Sequence, residues 1–201
     1  MAEAGALQAR LVDTNVLIVA SAADAGSPFG AEATPIEEAA LRQQVFDWLE
    51  AFVADPTRHA VLDVDWHVCG EYRHKLTEQD YGWLAMMHKM DRGEVVWVDV
   101  LLDKNGNAVL PPELAAAVTD LADRKMVAAA LAALDAGHAT QITNASDTDW
   151  IDCQQALHAV GLEVENLLPD WLQARWRQKH PPVRRAKIRG SMPDFFRFPH
   201  T

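Results

Sequence analysis

Two cysteines, Cys69 and Cys153, are the only thiols in 201 residues, which leaves no disulfide framework and fits a reducing compartment. Long apolar runs are missing as well. The nearest, Val16 to Ala23, falls far short of the roughly 20 residues that cross a bilayer. Met1 to Gln8 carries Glu3 and lacks the basic-then-apolar pattern of a secretory signal, so a cytoplasmic protein is expected. No glycine-rich phosphate loop, internal repeat or low-complexity segment occurs. What is present is an apolar share of 49%, enough for a proper core in one domain, which excludes disorder of the whole chain.

The net charge of −11 hides a division. Residues 171–201 hold eight basic side chains (Arg175, Arg177, Lys179, Arg184, Arg185, Lys187, Arg189, Arg197) against one acid, Asp194. That leaves 10 basic and 28 acidic residues in 1–170, so the body balances at −18 and the tail at +7. A basic tail on an acidic body suits a polyanion. It equally suits the protein's own acidic surface or an acidic protein partner. Phe195, Phe196 and Phe198 beside Arg197 are apolar anchors that a solvated tail does not need.

Along the chain, apolar runs and helical periodicities alternate. Strands are predicted near Arg10–Asp13, His59–Val64, Glu94–Val100, Ala139–Thr143 and Leu162–Glu165, the third apolar enough to be central. Helices are predicted from Thr14, from Thr34 (as N-cap, with Pro35 and Glu37 completing a capping box), around Glu71, from Thr77, up to Asp135, from Asp147 and over Trp171–Gln178. Ala22 to Ala33 reads as an exposed loop, and Lys104-Asn-Gly-Asn as a turn. This order argues for an α/β three-layer sandwich with a mostly parallel central sheet.

Four acids stand where strands give way to helices: Asp13, Glu71, Asp123 and Asp147. The carboxyl ends of parallel strands share one sheet edge, where ligands bind. Carboxylates crowded there repel unless a divalent cation neutralises them, and hard oxygen ligands suit Mg²⁺ or Mn²⁺. Each acid also has an ordinary reading. Asp13 and Asp147 can cap helices, Asp123 can favour a first turn, and Glu71 can pair with Lys75 one turn on. Asp149 competes with Asp147 for the same role. The remaining 24 acids of the body are expected at the surface, and the tryptophans Trp97, Trp150 and Trp171 in the core or in helix packing. His67, Cys69 and His74 lack the second half of a zinc site.

Val12-Asp13-Thr14-Asn15-Val16-Leu17-Ile18 resembles the opening motif of PIN-domain nucleases (the VapC-like ribonucleases among them). Glu71-Tyr72-Arg73, Asp123-Arg124-Lys125-Met126 and Thr143 to Trp150 resemble that family's second, third and fourth acidic elements, in order, over about residues 8–168. The resemblance implies a PIN-like nuclease domain at 8–168 and a basic helix and tail at 169–201. It implies a hydrolase cleaving RNA phosphodiesters, with Mg²⁺ (or Mn²⁺) held by Asp13, Asp123 and Asp147 and Glu71 completing the catalytic set. Thr14, Asn15 and Asp149 would assist; from the tail's charge alone, Arg184, Arg185, Lys187 and Arg189 are the candidate RNA contacts. A toxin–antitoxin or defence role, an antitoxin partner and a homodimer are further implications. The alternative is a PIN-like scaffold that no longer cuts and that docks RNA or a partner through its tail.

Overall fold

The computed structural model describes residues 7–181, so Arg184, Arg185, Lys187, Arg189 and the three tail phenylalanines lie outside the described residues. Five strands form one parallel sheet: β1 (Gln8–Val12), β2 (Arg58–Asp63), β3 (Val95–Val98), β4 (Ala139–Asn144) and β5 (Glu163–Asn166), in spatial order β3-β2-β1-β4-β5. Parallel strands need crossovers, and helices supply them. Between β1 and β2 run α1 (Thr14–Ser21) and α2 (Ala39–Ala54), and between β2 and β3 run α3 (His67–Lys75) and α4 (Tyr81–Asp91). Then come α5 (Pro112–Ala117) and α6 (Leu121–Asp135), α7 (Asp149–Ala159) after β4, and α8 (Pro169–Lys179) after β5. The predicted α/β sandwich with a parallel sheet is what the chain adopts.

β1 is central, with Ala9, Leu11 and Val12 buried, and Ala60 to Leu62 of β2 are equally buried beside it. α6 lies across β1 to β4, while α1, α2 and α4 pack on one another. The third strand is not central: β3 is an edge, pairing only with β2. Its run of Val95-Val96-Trp97-Val98 looks uniformly apolar, yet Trp97 is turned to solvent. Strand position follows from partners distant in sequence, which the run itself does not encode.

Two helices start later than predicted. α2 begins at Ala39, and Thr34 Oγ1 instead accepts the Ile36 N–H at 3.3 Å in a local turn. Ile36 is fully buried, and Arg42 Nη1 donates to the carbonyls of Ile36 and Glu37 at 2.8 Å each. Those bonds fix the carbonyls of the segment ahead of the helix. α4 begins at Tyr81 because Asp80 closes a turn first, accepting from the Thr77 N–H (2.6 Å) and hydroxyl (2.9 Å). Asp63, Asp80 and Glu94 are buried, contrary to the surface expectation, and each has hydrogen-bond donors facing it.

α4 crosses α1 so closely that a Cβ on Gly82 would lie 2.5 Å from the Leu17 carbonyl oxygen and 2.8 Å from its Cα. The Gly82 N–H donates to Ser21 Oγ at 2.9 Å, sealing the crossing. Gly82→Ala must therefore push two backbones apart. We expect a loss of roughly 2–3 kcal/mol, or about 5–10 °C in the thermal midpoint. An unchanged midpoint by circular dichroism would show that the crossing is slack.

Candidate functional site

Asp13 follows directly on β1, and its backbone N–H continues the β1–β4 ladder to Thr143 O at 3.0 Å. Its Oδ1 accepts the Asn15 N–H at 3.1 Å, capping α1, so the ordinary role is real. Its Oδ2 accepts the indole N–H of Trp150 at 2.5 Å, which fixes the carboxylate plane. Asp123 sits in the first turn of α6, behind the N-cap Asp120, whose carboxylate accepts from Ala122 N (2.7 Å) and Asp123 N (3.4 Å). Asp147 lies in the turn between β4 and α7. Asn144 frames that turn, accepting the Asp147 N–H at 3.0 Å and donating to its carbonyl at 2.9 Å.

These three acids, far apart along the chain, converge: one carboxylate oxygen from each lies within 4.8 Å of the other two. Ions of the Mg²⁺ class bind oxygens at about 2.0–2.1 Å, so opposed ligands stand about 4 Å apart and the cluster has the size for one ion. The electrostatics match. Burial pushes Asp13 up to about 6, with Trp150 and Asn15 drawing it down and Asp147 adding to the rise. Asp123 is pushed up to about 8, by burial first and then by Asp13, Asp147 and Asp120. Asp147 is raised too, chiefly by burial. Without a cation, this pocket holds protons where carboxylates normally hold none.

Glu71 is at the site but outside the trio. It lines a cavity of about 230 Å³ together with Asp13, Asn15, Asp123 and Asp147, while its Oε1 pairs with Lys125 Nζ at 2.5 Å. The partner expected within its own helix, Lys75, is replaced by this lysine of α6, and His74 Nδ1 stands 3.5 Å from Oε2. Thr14 lines the same cavity. Asn15 Oδ1 accepts the N–H groups of Ala145 (2.8 Å) and Ser146 (3.1 Å), tying the start of α1 to the Asp147 turn. That pairing fixes which amide atom is oxygen, and the buried Nδ2 has no partner among the described residues.

Asp149 stands apart. It is exposed, its N–H donates to Asp147 Oδ1 at 2.9 Å, and its carboxylate pairs with Lys179 at 3.3 Å. Through that pair, and through Trp176 Nε1 to Asp152 Oδ1 at 2.7 Å, α8 leans on α7. Asp120, Asp123, Asp149, Asp152, Lys179 and His180 line a second groove of about 220 Å³, which meets the first cavity at Asp120 and Asp123.

The sequence reading missed three contributors, of which Asp120 alone carried a recognisable signal. Trp150 is buried as expected, but its indole also orients Asp13. Asp120 is a helix cap that also charges the cavity, and Lys125 reveals itself only across helices. The Asp120 cap is recoverable from sequence, since Thr-Asp before Leu121 is an N-terminal signal. No protein family, curated protein or solved structure matches the chain.

Proposed function

We propose that the chain is a metal-dependent endoribonuclease, with Asp13, Asp123 and Asp147 holding Mg²⁺ or Mn²⁺ at the carboxyl edge of the sheet. The observation that carries this reading is the meeting of three carboxylates within 4.8 Å, in a pocket that burial has made costly for uncompensated charge. A divalent ion bound there would acidify water and offset charge building on the attacked phosphate and leaving oxygen. The chain's own residues do the rest. Trp150 Nε1 and the Asn15 N–H hold Asp13 in one orientation. Asn15 Oδ1 and Asn144 hold the turn that presents Asp147. Glu71 is held by Lys125, and Lys75 is the cation on the cavity wall that would attract a phosphate.

A role as the toxin of a toxin–antitoxin or defence pair belongs to the same proposal, with an antitoxin and a second copy as partners. The test is paired. Calorimetric titration with Mn²⁺ should show uptake of one ion or more by the full chain, and single-stranded RNA should be cleaved only when the ion is present. A scaffold that no longer cuts gives neither signal, and cleavage in chelator overturns the metal assignment.

The tail enters as a further expectation. Removing residues 180–201 takes away Arg184, Arg185, Lys187, Arg189 and Arg197. RNA affinity should fall, and its dependence on salt should flatten by roughly one unit of log–log slope for each phosphate that the chain no longer reaches. An unaltered slope assigns the tail to a protein partner.

A further inference from the structure

Among the described residues, one non-glycine residue has a left-handed backbone: Trp66, at φ 64°. A bulky side chain is disfavoured there, and such strain persists where the surroundings impose it, often at binding sites. Asp63 imposes it here. Its carbonyl accepts the Trp66 N–H at 3.1 Å, and its carboxylate accepts the N–H groups of His67 (2.9 Å) and Val68 (2.7 Å). The strained turn does not deliver the indole to the core. Trp66 keeps 49% of its surface exposed, and beside it Trp97 of β3 keeps 45%, the ring centroids 6.2 Å apart and tilted by 46°. Large aromatics left side by side in solvent mark a surface that meets a ligand.

Their position says which ligand. Both lie towards the carboxyl ends of β2 and β3, the sheet edge that also carries Asp13. α3 starts at His67, and His67, Glu71 and Lys75 recur every four residues along one helix face. Glu71 and Lys75 line the acidic cavity. Glu71 is five positions beyond Trp66, about 7.5 Å of helical rise. α3 thus runs from Trp66 at its start to Glu71 and Lys75 on the cavity wall, with Lys125 paired to Glu71. Asp65 and Asp99 near the rings discourage phosphates there, so bases belong on the indoles and phosphates on the lysine side.

We propose that Trp66 and Trp97 form a stacking platform for the bases of single-stranded RNA, which α3 leads into the acidic cavity. Interleaved flat rings and cations are how single strands are held without regard to sequence. This inference rests on the nuclease reading for the identity of its ligand. The exposure of Trp97 on the edge strand already departs from the sequence expectation of a core or helix-packing residue.

The test is affinity, read without cleavage: a labelled single-stranded RNA of about 12 nucleotides titrated into the full chain in chelator. Trp66→Asn, which removes the ring but tolerates the left-handed turn, and Trp97→Ala should each weaken binding about tenfold. Trp66→Phe and Trp97→Phe should restore most of it, and affinity for duplex RNA, whose bases are not available to stack, should not move. If alanine unfolds the edge strand, Trp97→Leu keeps the apolar bulk without the π face. Affinity within about twofold of wild type in both ring-deleted variants overturns the platform. So does loss of self-association, seen by sedimentation, with RNA affinity intact, because that outcome makes the patch a protein interface. The two readings fail separately: tryptophan-dependent binding with no metal-dependent cleavage sinks the nuclease, whereas triad-dependent cleavage with tryptophan-independent binding sinks only the platform.

Discussion

Asp13→Asn and Asp123→Asn should each slow metal-dependent cleavage of single-stranded RNA by on the order of 10²-fold or more, the scale seen when a major electrostatic group is removed from an active site. The substitution is nearly isosteric, and circular dichroism of each variant separates a folding loss from a catalytic one. In the Asp13→Asn variant the single amide oxygen can accept the Asn15 N–H or the Trp150 indole N–H but not both, so some stability is lost there as well. What is lost is one of three charges gathered within 4.8 Å and the ionic ligand it offers a cation. The measurement is initial rate against metal concentration, with calorimetry alongside. Cleavage at wild-type rate in both variants would remove the catalytic assignment.

The second large effect is on stability, and it grows with pH. In the metal-free protein Asp123 is raised from 3.8 to about 8, so between those values the native state holds a proton that the unfolded chain has released. More protons bound in the native state means that stability falls as pH rises. The contribution is complete below about pH 4 and is lost as pH climbs through about 8. Asp13, raised to about 6, acts in the same sense over a lower window. Asp123→Asn removes the titration and keeps the shape. Without metal, its thermal midpoint should match wild type near pH 4 and exceed it by on the order of 5 °C near pH 8.5. Mn²⁺ should raise the wild-type midpoint at the higher pH and do much less for the variant, because a ligand that binds only the native state stabilises by mass action. Equal midpoints at both pH values would show that the carboxylates do not share a pocket.

Much of the site is legible in the sequence because its signals are local. Asp13 and Asp147 stand where β1 and β4 give way to helices, and alternation of apolar runs with helical periods announces such junctions; Asp123, expected at another, lies instead in the first turn of α6, which follows α5 rather than a strand. The local pattern misleads where a distant residue overrides it. Thr34-Pro-Ile-Glu has the letters of a helix start, but Ile36 is drawn into the core and Arg42 takes the carbonyls ahead of the helix. Glu71 has a lysine one turn away, yet Lys125 of α6 reaches it first. The apolar third strand gives no sign that its neighbour lies on one side only.

By itself, the order of residues determined a parallel α/β sandwich and the placing of four acids near the ligand-binding edge. Folding alone decided that three of them converge within 4.8 Å while Glu71 pairs with a lysine, that Trp150 braces Asp13, and that two indoles stand side by side in solvent. Periodicity reports on neighbours within a turn or along one strand. Which elements lie side by side is set by the burial of whole faces against partners far along the chain, and the chemistry of this pocket depends on those meetings.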